Sequence, residues 1–312
     1  MAVYNGRQYI KEQLESIFNQ TEKVDELVIV DDCSSTKCND IIKSFQANER
    51  CCIKYVEHTE NKGYAQTFFD ALSLTTGDLI FLSDQDDIWD PQKVEKCERI
   101  LSQNPNITCM SSCNTIINEK GIEIKREKRP KQKLTKIKFI DVIRQKNNGL
   151  RPGMSLVLRK ELKNEINSIN LAAIEMHDRL IEYISAKDGG YYLYNEYLNY
   201  YRIHNANTSG LNLSHFKLRA GKAERIDQIE KEIRYLDAIY GIDQRTKPII
   251  DKCKEMYFIR KRLLLRNSIF LYILTTIMNI GKYSSVKVWL GDIKSIGLEK
   301  KEYKKTGNNR LA

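Results

Sequence analysis

Hydrophobic patterns typical of helices and of strands alternate along residues 1–110, and this alternation restricts the fold more than any other feature of the chain. Ile10, Leu14 and Ile17 recur at the spacing of one helix face. Residues 27–30 form a short continuous apolar run, which is typical of a strand buried on both faces. Because alternating strands and helices favour a mostly parallel central sheet with helices packed on it, we expect an α/β domain.

Other local patterns predict further elements. Residues 1–4 resemble the second half of a buried strand, so we expect the first strand to be cut short. The basic run at residues 125–138 predicts an exposed loop or flap, and residues 191–201 predict two short extended segments. Strands are also expected at residues 53–56, 78–83 and 153–158, and helices at residues 64–74, from Pro91 onward and at residues 172–186.

Net charge divides the chain into two parts. Residues 1–210 carry 29 basic and 30 acidic side chains, whereas residues 211–312 carry 22 and 11, a net charge of +11. We expect the first part to be the α/β domain and the second to be a basic helical region that meets an anionic surface.

An apolar stretch at residues 269–280 lies within this basic region, and it is shorter than the ~20 residues that span a bilayer. It predicts either an interfacial anchor at an anionic membrane surface or a buried helical hairpin. The hairpin would pack on the α/β domain or on a second copy of the chain, and in the second case the protein would be a homo-oligomer.

The composition also bears on compartment and on nucleic acid. Eight cysteines without a CxxC pair, and no signal peptide ahead of the first strand, indicate free thiols and a cytoplasmic protein. A basic region is also a feature of nucleic-acid-binding proteins. Here the aromatic and basic residues do not interleave as in RNA-binding signatures, so we do not expect a nucleic-acid partner.

The strongest candidate for a site is an acidic cluster after the strand predicted at residues 78–83. In an open α/β sheet, ligands bind beyond the carboxyl ends of the strands. Asp84 and Asp86 are separated by one residue and can bind one Mg²⁺ or Mn²⁺ ion that keeps open positions for diphosphate oxygens. The alternative is an acidic turn that caps the helix beginning near Pro91.

Two other polar segments are candidates for binding a nucleotide. Asp31 and Asp32 end the strand at residues 27–30, where a carboxylate can bind a nucleobase imide or a ribose hydroxyl, or instead form an Asx turn. Lys62 and Gly63 precede a helix whose N-terminus can face an anion, although this short segment is also typical of an ordinary turn.

Arg202 and His204 lie two residues apart, so on an extended segment they point to the same side. Both can reach a diphosphate, or His204 can complete the coordination of a metal ion. The alternative is a surface strand with alternating polar residues.

The order of these segments resembles glycosyltransferase family 2, whose members have the GT-A fold. The resemblance covers about residues 1–210, and the ordered set is far more specific than any one segment. Its matching segments are Ala2-Val3-Tyr4-Asn5-Gly6, Val30-Asp31-Asp32-Cys33-Ser34, Asn61-Lys62-Gly63, Thr76-Gly77-Asp78, Ser83-Asp84-Gln85-Asp86-Asp87-Ile88-Trp89, Met176-His177-Asp178 and Tyr200-Tyr201-Arg202-Ile203-His204. The acidic segment is similar to the branch that includes bacterial rhamnosyltransferases and related polysaccharide enzymes. Cys33 departs from the family, which usually carries glycine there, so we expect an altered turn.

The resemblance implies a GT-A-type nucleotide-sugar-binding domain with particular roles for its residues. Tyr4, Asn5 and Asp32, with Asp31 adjacent, would line the nucleotide pocket. Asp84 and Asp86 would hold the donor diphosphate through a divalent cation. Asp178 falls where the family has its catalytic base, and one carboxylate is enough to deprotonate the attacking hydroxyl when the reaction inverts the anomeric carbon.

The implied activity is inverting, metal-dependent transfer of a sugar from dTDP-rhamnose or a UDP-sugar to a hydroxyl of a glycan or lipid-linked acceptor. It would serve cell-surface polysaccharide synthesis at the inner face of the cell membrane. The alternatives are a nucleotidyltransferase, or a non-catalytic module that binds nucleotides or nucleic acid. A nucleotidyltransferase would normally carry a glycine-rich phosphate loop near its N-terminus, and the sequence has none.

Overall fold

The computed structural model describes residues 1–46, 51–144, 151–172, 174–204, 221–266, 268, 289–290 and 292–296. The chain forms two compact units. The first comprises Met1–Val142 and Asn147–Thr208, and the second comprises Ile143–Lys146 and Ser209–Ala312.

The first unit begins with a parallel three-stranded sheet. Strands β1 (Ala2–Val3), β2 (Glu26–Asp31) and β3 (Cys52–Glu57) lie side by side in that order. Helices α1 (Ile10–Phe18), α2 (Asn39–Gln46) and α3 (Tyr64–Leu74) connect and follow these strands. The predicted apolar face of α1 is fully buried in a core cluster with residues of β2, which is the alternation of helix and strand that the sequence indicated.

A second sheet contains the strands that follow α3. Its central order is β4 (Leu79–Phe81), β9 (Leu156–Arg159), β6 (Cys109–Ile117), β10 (Tyr191–Arg202) and β5 (Ile88–Trp89). Strand β7 (Glu123–Arg126) pairs with β6, and β8 (Leu134–Lys136) pairs with β10. Helices α4 (Lys93–Gln103), α5 (Phe139–Ile143), α6 (Lys160–Asn167) and α7 (His177–Lys187) complete the described elements of this region.

The expectation of a mostly parallel sheet is correct for the first sheet and wrong for the second. Strands β6 and β10 are parallel, but β9 runs antiparallel to both β4 and β6, and the pairs β6–β7, β10–β5 and β10–β8 are antiparallel. For β6 and β7 the reason is the short turn at residues 118–122, since parallel strands need a much longer crossover. The fold is α/β with mixed sheets.

Three local predictions need correction. The predicted loop at residues 125–138 contains strand β8 and the end of β7, because backbone pairing with β10 and β6 orders a segment with few apolar residues. The predicted helix at residues 172–186 begins only at His177, since Met176 has extended backbone. The two segments predicted at residues 191–201 are one strand, β10, although its register against β6 shifts between Tyr194 and Asn199.

The second unit is helical where the structure describes it, as the sequence predicted. Helices α8 (Lys222–Ile239) and α9 (Lys247–Leu265) pack together. The guanidinium groups of Arg225 and Arg260, both buried, pair with the buried carboxylate of Asp292 at 3.0 and 2.9 Å. Arg260, one of the basic residues of the region 211–312, therefore points into the unit and not toward an anionic surface.

No helix within the described ranges is long and apolar enough to cross a membrane. The apolar stretch at residues 269–280 lies outside the described residues, so both interpretations of it stay predictions.

Candidate active site

The carboxylate of Asp32 organises the loop that precedes α3. Its oxygens accept hydrogen bonds from the backbone N–H groups of Lys62 at 2.8 Å and Gly63 at 2.9 Å, and Nδ1 of His58 lies 3.0 Å away. Burial alone would raise the pKa of Asp32, but these hydrogen bonds more than offset burial and lower it. Gly63 has φ of +84°, a conformation that glycine adopts without strain.

Asp31 and Lys62 have different surroundings from those that the sequence suggested. Asp31 is fully buried, and its carboxylate accepts a 2.7 Å hydrogen bond from the backbone N–H of Ser34. This is the Asx-type turn that the sequence left as an alternative. The ammonium group of Lys62 lies 3.1 Å from the carboxylate of Asp70 on α3. Lys62 thus contributes its backbone N–H to the loop, whereas its side chain is paired along the helix.

Tyr4 and Asn5 follow β1, and Asn5 contacts the turn that follows β2. The side-chain oxygen of Asn5 accepts hydrogen bonds from the backbone N–H groups of Ser35 at 2.9 Å and Thr36 at 3.1 Å, while the side chain of Tyr4 is 51% exposed. Cys33 has φ of +60°. The turn therefore has the left-handed conformation that glycine favours, and cysteine adopts it at a cost of about 1 kcal/mol.

The acidic loop after β4 concentrates negative charge. Desolvation, followed by the charges of Asp86 and Asp178, raises the pKa of Asp84 to about 7. Desolvation and the charges of Asp86 and Asp84 also raise the pKa of Asp87, whose side chain accepts a 2.8 Å hydrogen bond from the backbone N–H of Arg202. Such a group of carboxylates is stabilised by a positive charge among them.

Arg202 and His204 both contact this acidic loop. Nε of Arg202 donates to the backbone oxygen of Asp86 at 2.8 Å, and its guanidinium group pairs with Glu12 and lies 4.8 Å from the ring centre of Tyr9. Nε2 of His204 lies 2.7 Å from a carboxylate oxygen of Asp86. Arg202 therefore fixes the loop backbone, and His204 meets the carboxylate that the sequence assigned to a metal ion.

The side chains predicted to bind a divalent cation fit that role chemically. No cluster of three or more metal-ligating side chains occurs within the described part of the chain, yet Asp86 and His204 do meet. Carboxylate and imidazole are ligands that Mn²⁺ accepts, and Asp84 stands two residues from Asp86 on the same loop.

Asp178 lies in the first turn of α7. Its carboxylate accepts a 2.7 Å hydrogen bond from the backbone N–H of Arg179, and desolvation raises its pKa to about 6 in spite of this bond. Because the charge of Asp178 also raises the pKa of Asp84, the two carboxylates share one electrostatic environment. The charge of Asp178 thus acts on the acidic loop.

Sequence reasoning missed several residues of this site. The amide of Gln85 accepts from the backbone N–H of Tyr4 at 2.8 Å and donates to its carbonyl at 3.0 Å, which joins two loops. The buried ring of His177 stacks on Phe68 with centroids 3.8 Å apart. Gln85 lies between Asp84 and Asp86, and His177 precedes Asp178, so their positions beside the predicted aspartates could have indicated them. His58 stands outside any motif.

Comparisons with known proteins identify the family of the chain. A family model, Glycosyl transferase family 2, matches residues 1–165. The dTDP-rhamnosyl transferase RfbG of Shigella flexneri is 30% identical over 225 residues, which cover 69% of this chain and 75% of that protein.

Two solved structures have a similar fold. The S. aureus TarS 1–349 structure in complex with UDP-GlcNAc has a TM-score of 0.57 at 13% identity and covers 99% of this chain and 91% of its own. The mannosyltransferase PcManGT from Pyrobaculum calidifontis, in complex with GDP-Man and Mn²⁺, has a TM-score of 0.52 at 16% identity, with coverage of 97% and 86%. These likenesses confirm the GT-A-type α/β fold.

Proposed function

This chain belongs to glycosyltransferase family 2, and we propose that it is an inverting, metal-dependent enzyme that transfers a sugar from a nucleotide-sugar to an acceptor hydroxyl. The observation that carries the proposal is the acidic loop after β4, where Nε2 of His204 lies 2.7 Å from Asp86 and Nε of Arg202 donates to the backbone oxygen of Asp86 at 2.8 Å. That loop suits a cation and a diphosphate, and Asp178 on α7 offers a carboxylate that can accept a proton.

The nucleotide end of the donor would bind at the loops that follow β1 and β2. Tyr4, Asn5 and Asp32 lie there, and the loop is fixed by the backbone N–H groups of Lys62 and Gly63, which donate to Asp32. We propose dTDP-rhamnose or a UDP-sugar as the donor. The similarity to a dTDP-rhamnosyl transferase supports the first, and the likeness to a structure holding UDP-GlcNAc supports the second.

Asp178 would act as the general base. A pKa of about 6 leaves its carboxylate ionised at neutral pH and basic enough to take a proton. The acceptor oxygen attacks the anomeric carbon, its proton passes to Asp178, and the bond from that carbon to the diphosphate breaks on the opposite face. The sugar configuration is inverted because attack and departure occur on opposite sides.

Asp84, Asp86 and His204 would hold the divalent cation, and Arg202 would keep the loop that carries the two aspartates in place. A bound Mg²⁺ or Mn²⁺ neutralises charge on a leaving diphosphate, so that no protein acid is needed to protonate it. The likeness to a structure that contains Mn²⁺ supports this assignment.

The acceptor would be a glycan or lipid-linked hydroxyl, and the enzyme would work at the cytoplasmic surface of the membrane in polysaccharide synthesis. The net charge of +11 on residues 211–312 supports an anionic surface as partner. On α9, the exposed apolar side chains of Phe258 and Leu265 lie among basic residues, which also suits an interface. Arg260 does not contribute, because it is buried and paired with Asp292.

Replacing Asp86 tests the metal assignment. We expect Asp86→Ala to abolish the dependence of donor binding on Mn²⁺, and Asp84→Ala to weaken it, without loss of the fold. Titration calorimetry of dTDP and UDP, with and without Mn²⁺, measures this. Asp78→Ala is the matched control, because Asp78 precedes the same strand and its side chain is 94% exposed. Unchanged Mn²⁺ dependence in Asp86→Ala would remove the assignment.

A further inference from the structure

An exposed hairpin beside the site carries apolar and basic side chains that the proposed reaction does not use. We call residues 119–138, which contain β7 and β8, the hairpin surface. Ile122 and Ile124 on it are 60% and 58% exposed, the highest values among the exposed large hydrophobic side chains that the structure describes. Ile122 lies just before β7, and Ile124 lies within β7 where its register against β6 shifts, so the two exposed side chains are close together along this edge.

The hairpin surface is strongly basic. Residues 125–138 contain eight lysine and arginine residues, all exposed, and one acidic residue, Glu127. Glu127 is paired with Arg151 and does not neutralise the exposed lysines. Lys125, Lys128 and Lys131 have no carboxylate partner within the described ranges, so their charges face solvent.

Aromatic contacts fix the base of this surface. The guanidinium groups of Arg126 and Arg129 lie 5.2 and 4.8 Å from the ring centre of Tyr197, and the hydroxyl of Tyr197 donates to the backbone oxygen of Glu127 at 2.7 Å. The basic segment is thereby held against β10, and its exposed side chains have a fixed platform.

One side chain connects the hairpin surface to the acidic loop. Nη1 of Arg202 donates to the backbone oxygen of Glu119 at 3.0 Å, while Nε of the same side chain donates to the backbone oxygen of Asp86 at 2.8 Å. The turn of the hairpin is therefore one guanidinium group away from the loop assigned to the donor diphosphate.

We propose that the hairpin surface is where the catalytic unit docks on an anionic lipid bilayer, with Ile122 and Ile124 entering the headgroup region and the lysines contacting lipid phosphates. Exposed aliphatic side chains beside a dense cluster of cations suit such an interface. A second copy of this chain would bring like charges together at the same edge. Nucleic acid would bind the lysines through its phosphates, but two exposed aliphatic side chains would not contribute to that binding.

The inference rests on the proposed function for its purpose. A lipid-linked acceptor presents its hydroxyl close to the bilayer surface, and docking through the hairpin would hold the site at that surface. It adds a contact on the first unit that is separate from the basic C-terminal region.

Cosedimentation of the full chain with vesicles tests the proposal. The vesicles contain phosphatidylcholine alone or phosphatidylcholine with phosphatidylglycerol, at low and high salt. We expect Ile122→Ser with Ile124→Ser, and separately Lys125→Gln with Lys128→Gln and Lys131→Gln, to lower partitioning onto the anionic vesicles roughly tenfold or more. Leu74→Ser, which removes a 40% exposed leucine at the end of α3, should change nothing.

The outcomes separate this inference from its rivals. Wild-type partitioning by both hairpin variants, loss only in Phe258→Ser with Leu265→Ser on α9, or no vesicle binding by the wild type would overturn it. A change of oligomeric state in the isoleucine variant without a change in vesicle binding would also overturn it. Protection by dTDP or UDP against thermal unfolding is read in parallel, and its absence would count against the proposed function while leaving vesicle docking standing.

Discussion

Two carboxylates in the first unit show how local hydrogen bonding decides a residue's chemistry. Asp32 receives two backbone N–H groups and a contact from His58, and its pKa is lowered. Asp178 accepts a hydrogen bond from the backbone N–H of Arg179, but desolvation raises its pKa to about 6. Asp32 therefore stays ionised as a fixed part of a loop, whereas Asp178 can exchange a proton near neutral pH.

Asp178→Asn should lower turnover by roughly 10²- to 10⁴-fold with little change in donor affinity, because the amide keeps the shape but cannot accept the proton. For the wild type, the rate should fall as pH drops through about 6, where the carboxylate becomes protonated. Steady-state kinetics with a sugar donor across pH measures both. Near wild-type transfer by the variant would show that another residue is the base.

The same substitution should stabilise the protein. The folded-state pKa of Asp178 lies above the ordinary value of 3.8, so the folded state is penalised as pH rises from about 4 to about 6, and the penalty stays constant above that. Asparagine removes up to about 3 kcal/mol of it at neutral pH. Thermal unfolding near pH 4 and near pH 8 tests this, with Asp188→Asn at the other end of α7 as control. A gain that did not depend on pH would contradict the desolvation account.

At the scale of elements, the site depends on contacts between loops that follow different strands. Gln85, on the loop after β4, pairs with both backbone groups of Tyr4, on the loop after β1. Gly6 leaves the space for this amide, since a Cβ atom there would lie 2.0 Å from the side-chain oxygen of Gln85. The two loops are therefore joined by a side chain that makes the same pair of backbone hydrogen bonds as a neighbouring strand would.

Gly6→Ala should displace Gln85 and weaken nucleotide binding roughly tenfold, since two hydrogen bonds of about 1 kcal/mol each are lost. Gln85→Ala should have a similar effect, and the double variant should be no worse than either one, because both remove the same contact. Calorimetry with dTDP and UDP measures this. Gly77→Ala is the control, since its nearest neighbour lies at an ordinary 3.6 Å. Additive losses in the double variant would contradict the shared contact.

At the scale of the whole molecule, the chain consists of two units with different cores. The first holds the assigned site. In the second, the buried guanidinium groups of Arg225 and Arg260 both pair with the carboxylate of Asp292. Removing one partner of such a buried pair is far more damaging than replacing the whole group, because charge is left uncompensated.

Asp292→Asn should destabilise the second unit by about 3–5 kcal/mol, because two buried guanidinium groups lose the carboxylate that they share. We expect scanning calorimetry to resolve two transitions, one lowered by this substitution and the other raised by dTDP or UDP. Asp227→Asn is the control, since Asp227 pairs with Lys231 on the exposed face of α8. A single cooperative transition that moves in both experiments would contradict independent units.

The sequence by itself determined the fold class and the family, and it named most residues of the candidate site. The helix period of Ile10, Leu14 and Ile17 and the continuous run at residues 27–30 are local signals, and α1 and β2 follow them. Asp84, Asp86 and Asp178 were found from segments whose order along the chain is specific. These properties are encoded in short stretches of the chain, so they can be predicted from the sequence.

Tertiary structure decided what no short stretch encodes. Asp31 and Asp32 are adjacent in sequence but have different hydrogen-bond partners. The carboxylate of Asp31 accepts from the backbone N–H of Ser34, whereas that of Asp32 accepts from the N–H groups of residues 62 and 63. The second sheet is mixed, and the basic run at residues 125–138 contains strand residues because its backbone pairs with β6 and β10. Arg260 belongs to the basic C-terminal region, yet its side chain is buried and pairs with Asp292. Each outcome depends on contacts between residues distant in the chain, whose free energies are set by burial and geometry that only the folded molecule brings about.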